Sequence, residues 1–212
     1  MSKTKEQLLK AAFILSLITI IYNLLEGGIS IFFGAGDNSL TLLGFGVDSF
    51  VEVISGLGIA HMLVRMKNSV EITRDDFEKT ALKITGFSFY LLTAGLIIGA
   101  VLNVIEQVKP ETTIPGLIIS LISIITMYFL MNAKLKVGAG LKSDAIVADA
   151  KCTKTCLQLS LVLLVASLLY QLFHILYIDT FGTAAIAWLS YKEGRESLEK
   201  AARSDFKCCD DD

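Results

Sequence analysis

The chain has 212 residues, of which 53% are apolar and 19% are charged, and its formal net charge is −2. Apolar runs of roughly 20 residues, long enough to cross a hydrocarbon core about 30 Å thick, recur along the sequence while charge collects between them. This distribution predicts a polytopic membrane protein, and the lack of a basic face excludes nucleic acid as a partner.

An all-α fold with six transmembrane helices is predicted from these runs. The first is preceded by the charged segment MSKTKEQLLK, but no small-residue cleavage site follows it, so we expect this helix to be retained in the mature protein. The fifth has a polar first half, which we expect to be buried against protein rather than lipid. The predicted spans are 11–33, 38–64, 81–105, 113–133, 145–173 and 175–191.

Lysine and arginine are distributed asymmetrically between the predicted loops. They precede the first span, follow the sixth, and occupy the loops after the second and fourth spans, whereas the other loops contain one lysine between them. The positive-inside rule then places both termini in the cytoplasm, and we expect a multi-pass protein of the cell (inner) membrane. Residues 1–200 are predicted to form the transmembrane domain and residues 201–212 a short cytoplasmic Cys/Asp tail.

Two stretches about a hundred residues apart resemble each other: NSLTLLGFGVDSFVE (38–52) and KSDAIVADAKCTKTC (142–156). Ser39 aligns with Ser143 when the two are superimposed. Asp48 and Glu52 then fall on Cys152 and Cys156. Residues four apart share one face of a helix, so each pair points in a single direction. A carboxylate pair and a thiol pair inside apolar helices are difficult to explain as packing, because buried charge is costly.

The predicted orientation brings both pairs to the same depth. Asp48 and Cys152 each lie ten residues from opposite membrane edges, or about 15 Å at 1.5 Å per residue, which is half of a roughly 30 Å core. Metal binding at the midplane by Asp48, Glu52, Cys152 and Cys156 is therefore the leading hypothesis. The alternatives are a buried acidic pair satisfied by Lys or Ser, and two cysteines that only fill space.

The sequence resembles the membrane domain of the cation diffusion facilitators, which are six-helix transporters that typically exchange divalent metal for protons. The resemblance rests on NSLTLLGFGVDSFVEV, on LKSDAIVADA, and on IDTFGTAAIAWLSYKEGRESLEKA near the sixth span. It implies that Asp48 and Glu52 are metal ligands. The helix-five ligands of the family are a His and an Asp, and their positions are occupied here by Cys152 and Cys156. Family members usually carry a cytoplasmic metal-binding domain as well. We expect none here, so the expected homodimer would form through membrane helices.

Two carboxylates and two thiolates suit tetrahedral Zn²⁺ and favour the softer ions Cd²⁺ and Hg²⁺, whereas Ca²⁺ and Mg²⁺ prefer more oxygen ligands. Because such ligands bind metal only when deprotonated, we expect a proton-coupled antiporter that exports the metal, with Zn²⁺ the first expectation as substrate and no bound cofactor. A membrane thiol or metal sensor that transports nothing remains an alternative. No catalytic motif is present, so an enzyme is not expected.

Several further polar residues are secondary candidates. Lys151 and Lys154 either balance the charge of the ligands, directly or through Glu26, or form structural ion pairs such as Lys154 with Glu26. Asn23 and Glu26 are either further ligands or helix–helix contacts, and Asp149 is expected to line a cytoplasmic entrance. The tail cysteines have three interpretations, namely metal capture, lipid attachment or a disordered segment; they are Cys208 and Cys209.

Overall fold

The computed structural model describes residues 5–68, 74–106, 114–173 and 178–202, and every element in these ranges is an α-helix. This confirms the predicted all-α class. The six helices are α1 (Lys5–Gly36), α2 (Leu40–Asn68), α3 (Arg74–Glu106), α4 (Ile114–Leu141), α5 (Asp144–Phe173) and α6 (Ile178–Ala202).

Five helices are long and apolar enough to cross a membrane: α1, α2, α3, α4 and α5. The chain is therefore an integral, multi-pass membrane protein, as predicted. Helix α6 occupies the position of the sixth predicted span, but its composition is too polar to identify it as a span on that basis. The sixth span and the orientation of the termini remain predictions.

The apolar residues cover the outside of the bundle and many polar residues lie inside it. Leu91 on α3 is 78% exposed, whereas Ser16, Thr19 and Asn23 on α1 are buried. Lipid is as apolar as a leucine side chain, so such a surface is stable in a bilayer, and helix association there depends on close packing and polar contacts. The buried polar residues therefore identify the helix faces that meet inside the bundle.

Helices α1 and α2 form one antiparallel pair, α4 and α5 a second, and α3 and α6 a third. The first two pairs are joined by turns of the same geometry. Asn38 and Lys142 adopt a left-handed conformation, with φ of 53° and 51°, and the next residue in each turn donates its N–H to a carbonyl five residues back. This is a Schellman motif, and the following Ser39 or Ser143 side chain then caps the next helix. The repeat seen in the sequence thus includes the turn that aligns each helix pair.

Glycine permits a very close approach between α1 and α2. A Cβ added to Gly46 would lie 2.9 Å from the side chains of Ser30 and Ile31, and one added to Gly27 would lie 3.0 Å from the Gly46 carbonyl oxygen. Small residues at such crossings let the backbones of membrane helices touch. This contact fixes α2 against α1 and so fixes the direction in which the second half of α2 presents its polar face.

Helix α4 is longer than the predicted fourth span. Helix α4 continues past residue 133 to Leu141, because no glycine or proline interrupts the sequence until Gly138 and the left-handed turn comes only at Lys142. Lys134 was expected in a cytoplasmic loop, but it lies inside the helix and is only 1% exposed. It therefore belongs to the interior of the bundle.

Candidate functional site

The antiparallel helices α2 and α5 meet in a regular register along one polar face. Ser55 donates a hydrogen bond of 3.0 Å to Asp149 Oδ1 at one end of this face. One turn further along, the charge of Glu52 acts on Cys152, and after another turn the Cys156 thiol interacts with the Asp48 carboxylate. Each step of three or four residues forward on α2 is matched by an equal step back on α5.

This register differs in one respect from the prediction, which placed Asp48 and Cys152 at the same depth. The register set by the Ser55–Asp149 hydrogen bond instead brings Glu52 opposite Cys152 and Asp48 opposite Cys156, because the two helices are antiparallel. The acid pair and the thiol pair nevertheless face each other across one interface. All four side chains are 1% exposed, and both cysteines are free thiols.

The acid pair presents buried oxygen atoms that lack hydrogen-bond partners. In the described part of the chain, neither oxygen of Asp48 has a partner of good geometry, and Glu52 Oε1 has none. Asn23 donates 2.8 Å to the other Glu52 oxygen and 3.0 Å to the Thr19 carbonyl, which leaves its own Oδ1 atom unpartnered nearby. A buried acceptor without a donor is costly, and a bound cation is one way to satisfy several acceptors together.

The four predicted ligands are not gathered around one point in this conformation. Across residues 5–68, 74–106, 114–173 and 178–202, no three Cys, His, Asp or Glu side chains are arranged to hold a metal ion. The acids and thiols face one another, yet their helices would have to adjust before all four could contact one ion. Coordination by this set therefore stays a prediction.

The ion pair between Lys154 and Glu26, one of the two alternatives for Lys154, is wrong. Glu26 accepts hydrogen bonds from the Tyr22 hydroxyl at 2.8 Å and from the Ser49 hydroxyl at 3.0 Å, whereas Lys154 lies on the exposed face of α5. Residues two positions apart project to opposite sides of a helix, so Lys154 points away from the interface that Cys152 and Cys156 occupy. Glu26 is thus a helix–helix contact held by hydroxyl groups.

Lys151 forms a structural ion pair on the far side of α5. Its ammonium group lies 2.9 Å from Glu196 Oε1 on α6, and Lys200 lies 2.6 Å from the same oxygen. Burial would raise the pKa of Glu196, but the hydrogen bonds from Lys200 and Lys151 outweigh it and lower that pKa to about 2. Lys151 is therefore occupied by α6 and does not balance the charge of the predicted ligands.

A polar cavity of about 150 Å³ lies between α5 and α6 beside this cluster. Glu193 lines it and accepts a hydrogen bond of 3.1 Å from Thr155, next to Cys156 in the sequence. Burial raises the pKa of Glu193. The cavity thus brings polar surface close to the cysteine-bearing turn of α5.

The sequence interpretation missed the buried cation of this region, which is Lys134. Its ammonium group lies 2.9 Å from Asp149 Oδ2 and donates 2.8 Å to the Thr153 hydroxyl. Asp149 is accordingly engaged by Lys134 and Ser55 inside the bundle, and it does not line an open entrance. The signal that could have found Lys134 is the alternating spacing of four and three residues that it continues. The buried residues of this series are Ser123, Met127, Leu130, Lys134 and Val137, and they mark the interior face of α4. Cys208 and Cys209 lie outside the described residues.

A protein-family model described as the cation efflux transmembrane domain matches residues 12–204, which include nearly all of the six helices. No curated protein matches the sequence significantly. Members of this family are transporters rather than enzymes, and the metal ion is what they carry rather than a resident cofactor. The buried acidic face of α2 lies within the matched region, as does the facing α5. The chain belongs to the cation efflux, or cation diffusion facilitator, family of membrane transporters for divalent metal cations.

Proposed function

We propose that this transporter exports Zn²⁺ or a softer ion, Cd²⁺ or Hg²⁺, from the cytoplasm in exchange for protons. The ligands are Asp48 and Glu52 from α2 and Cys152 and Cys156 from α5. The observation that carries the proposal is the set of three unpartnered carboxylate oxygens, buried opposite two free thiols. Such acceptors are stable in a membrane interior only when a cation or protons satisfy them.

The donor types select the metal. Thiolate sulfur binds Zn²⁺ at about 2.3 Å and carboxylate oxygen at about 2.0–2.2 Å, so two of each make a tetrahedral set. Sulfur is a soft ligand and increases the relative affinity for Cd²⁺ and Hg²⁺. Ca²⁺ and Mg²⁺ require six or more oxygen ligands, which this interface does not offer.

The same chemistry couples metal to protons. Thiols and carboxyls must lose their protons to bind a metal, so loading the site releases protons and protonation expels the metal. When a site of this kind faces the two sides of the membrane alternately, a proton gradient drives the metal in the opposite direction. The proposed direction is export from the cytoplasm. The proposal also includes cytoplasmic termini, α6 as the sixth span, and a dimer in the cell membrane that forms through the membrane helices.

The decisive experiment measures metal content and flux on the same preparations. Purified parent protein and the double variant Cys152→Ser/Cys156→Ser are loaded with Zn²⁺ or Cd²⁺ and analysed by mass spectrometry, and uptake into proteoliposomes is followed with and without a pH gradient. The matched control is Cys208→Ser/Cys209→Ser, which removes two thiols from the tail.

We expect the parent and the tail variant to bind one ion per chain. Both should take the metal up faster when the vesicle lumen is more acidic than the outside, because protons then leave as the metal enters. The helix-five variant should lose most Cd²⁺ binding and flux. Equal Cd²⁺ binding in all three proteins would show that Cys152 and Cys156 are not ligands. Stoichiometric binding without flux would instead indicate a metal sensor.

A further inference from the structure

Lys134 is a fully buried cation that the proposed set of ligands does not use. Its partners are Asp149 at 2.9 Å and the Thr153 hydroxyl at 2.8 Å, and both residues of the ion pair are almost inaccessible to solvent. A buried ion pair contributes little net stability compared with apolar residues of the same volume, because both charges must be desolvated. Its presence between membrane helices therefore calls for a reason other than stability.

The ion pair lies directly beside the proposed ion site. Helices α4 and α5 are antiparallel and in register, since Ser123 contacts Ser160 at 2.9 Å and, eleven residues along each helix, Lys134 contacts Asp149. Asp149 precedes Cys152 by one helical turn on the same face of α5. The charge of Lys134 consequently reaches both Glu52 and Cys152.

Three carboxylates line this one interface: Asp48, Glu52 and Asp149. Asp48 and Glu52 belong to the proposed ligand set, so an uncompensated Asp149 would add one negative charge beyond those of the ligands. The ammonium group of Lys134 cancels the charge of Asp149, and the contacts with Lys134 and Ser55 engage both oxygens of that carboxylate. The charge of the ion site is then set by the four proposed ligands alone, without a further negative charge from Asp149.

We propose that Lys134 is a positioning residue that sets the net charge of the ion site, an inference that rests on the proposed function above. It does so by neutralising Asp149, and it never touches the transported metal. A site with one more negative charge would hold the ion too tightly to release it, and a site with one fewer would load it poorly. Lys134 therefore balances loading against release for divalent ions.

The test is a double-mutant cycle on the full chain, read by Cd²⁺ titration in detergent and by flux in proteoliposomes. Lys134→Met leaves Asp149 uncompensated and should tighten Cd²⁺ binding at least about tenfold while slowing turnover, since it removes the positive charge that neutralises a carboxylate one helical turn from Cys152. Asp149→Asn leaves Lys134 uncompensated and should weaken binding by a similar factor. The double variant Lys134→Met/Asp149→Asn restores the original net charge and should bind like the parent.

The matched control is Lys136→Met, two residues away on the exposed face of α4, and it should leave Cd²⁺ affinity and flux unchanged. Single variants that shift affinity in opposite directions and cancel in the double variant support the proposal. If Asp149 were itself a ligand, the double variant would bind as weakly as Asp149→Asn, and this result would overturn it. If Lys134→Met does not fold, the Cd²⁺ affinities of Asp149→Asn and of the double variant still test the proposal, because only the proposal expects the double variant to bind more tightly.

Melting temperatures that fall while every affinity stays the same would show a purely structural ion pair and also overturn the inference. In both cases the parent still transports metal, so the proposed function survives. A parent that binds no Cd²⁺ would overturn the proposed function, and this inference with it.

Discussion

Replacing Asp48 with Asn should make the metal-free protein more stable and also unable to respond to metal. Asp48 is 1% exposed, and neither of its carboxylate oxygens has a hydrogen-bond partner of good geometry among the described residues. Glu52 lies one turn away on the same face and adds like charge. Asn keeps the shape of the side chain but removes the charge that the interior does not satisfy.

The size of the effect follows from the cost of an unsatisfied buried group, which is about 1–3 kcal/mol and more when the group is charged. The metal-free Asp48→Asn protein should therefore gain about 1–3 kcal/mol. For a chain of this size each kcal/mol raises the melting temperature by about 2–4 °C. The parent gains its stability only when metal binds, because a ligand at a hundred times its Kd stabilises the folded state by about 2.7 kcal/mol.

The assay compares melting temperatures of the purified proteins in detergent, with a chelator or with saturating Cd²⁺. The parent should melt several degrees higher with Cd²⁺, whereas Asp48→Asn should start higher and show no shift. Glu6→Gln, which removes an exposed acidic residue at the start of α1, should behave like the parent in both conditions. An Asp48→Asn protein that is less stable without metal and still shifts with Cd²⁺ would refute the assignment.

Three further predictions concern the scaffold. Gly46→Leu should destabilise the protein by about 1–3 kcal/mol, because a side chain there overlaps α1, whereas Gly28→Leu meets open space and should be nearly neutral; both are checked by melting temperature. Ser39→Ala removes the cap of α2 and should cost about 1 kcal/mol in the same assay. Glu196 has a depressed pKa of about 2, so its contribution is complete above the unfolded pKa near 4.5 and is lost as the pH falls towards 2. The melting difference between the parent and Glu196→Gln should accordingly stay constant from neutral pH to about pH 5 and shrink below that.

Much of the architecture could be predicted from local patterns. The five apolar helices follow from the length and hydropathy of each run, and the repeated Asn-Ser and Lys-Ser turns follow from the alignment of Ser39 with Ser143. The facing of the acid and thiol pairs could also be predicted, since it needs only antiparallel helices of similar sequence. These features depend on residues close together in the chain, or on a repeat that the sequence displays directly.

What failed depended on the direction of side chains and on contacts between distant helices. The ion pair between Lys154 and Glu26 was inferred only from their similar depth in the membrane. Helical periodicity, however, already places Lys154 on the side of α5 that faces away from Cys152 and Cys156. Lys134 was assigned to a loop because charge was taken as the end of a span. Its spacing already marks the interior face of α4, but its partner Asp149 lies within 2.9 Å only because of the register of α4 against α5. No local pattern contains that register.

The two helix pairs share a backbone plan but differ in the nitrogen that each first helix supplies. On α1 the Asn23 amide donates to Glu52 of α2, and on α4 the Lys134 ammonium contacts Asp149 of α5. An amide orients a carboxylate and leaves its charge in place, whereas an ammonium group cancels that charge. The negative charge of the interface therefore resides on α2, and α5 faces it with thiols that become charged only when they lose protons. In the proposed site, metal binding therefore draws protons from the α5 thiols as well as from any protonated carboxyl of α2, because both donor types bind metal only when deprotonated.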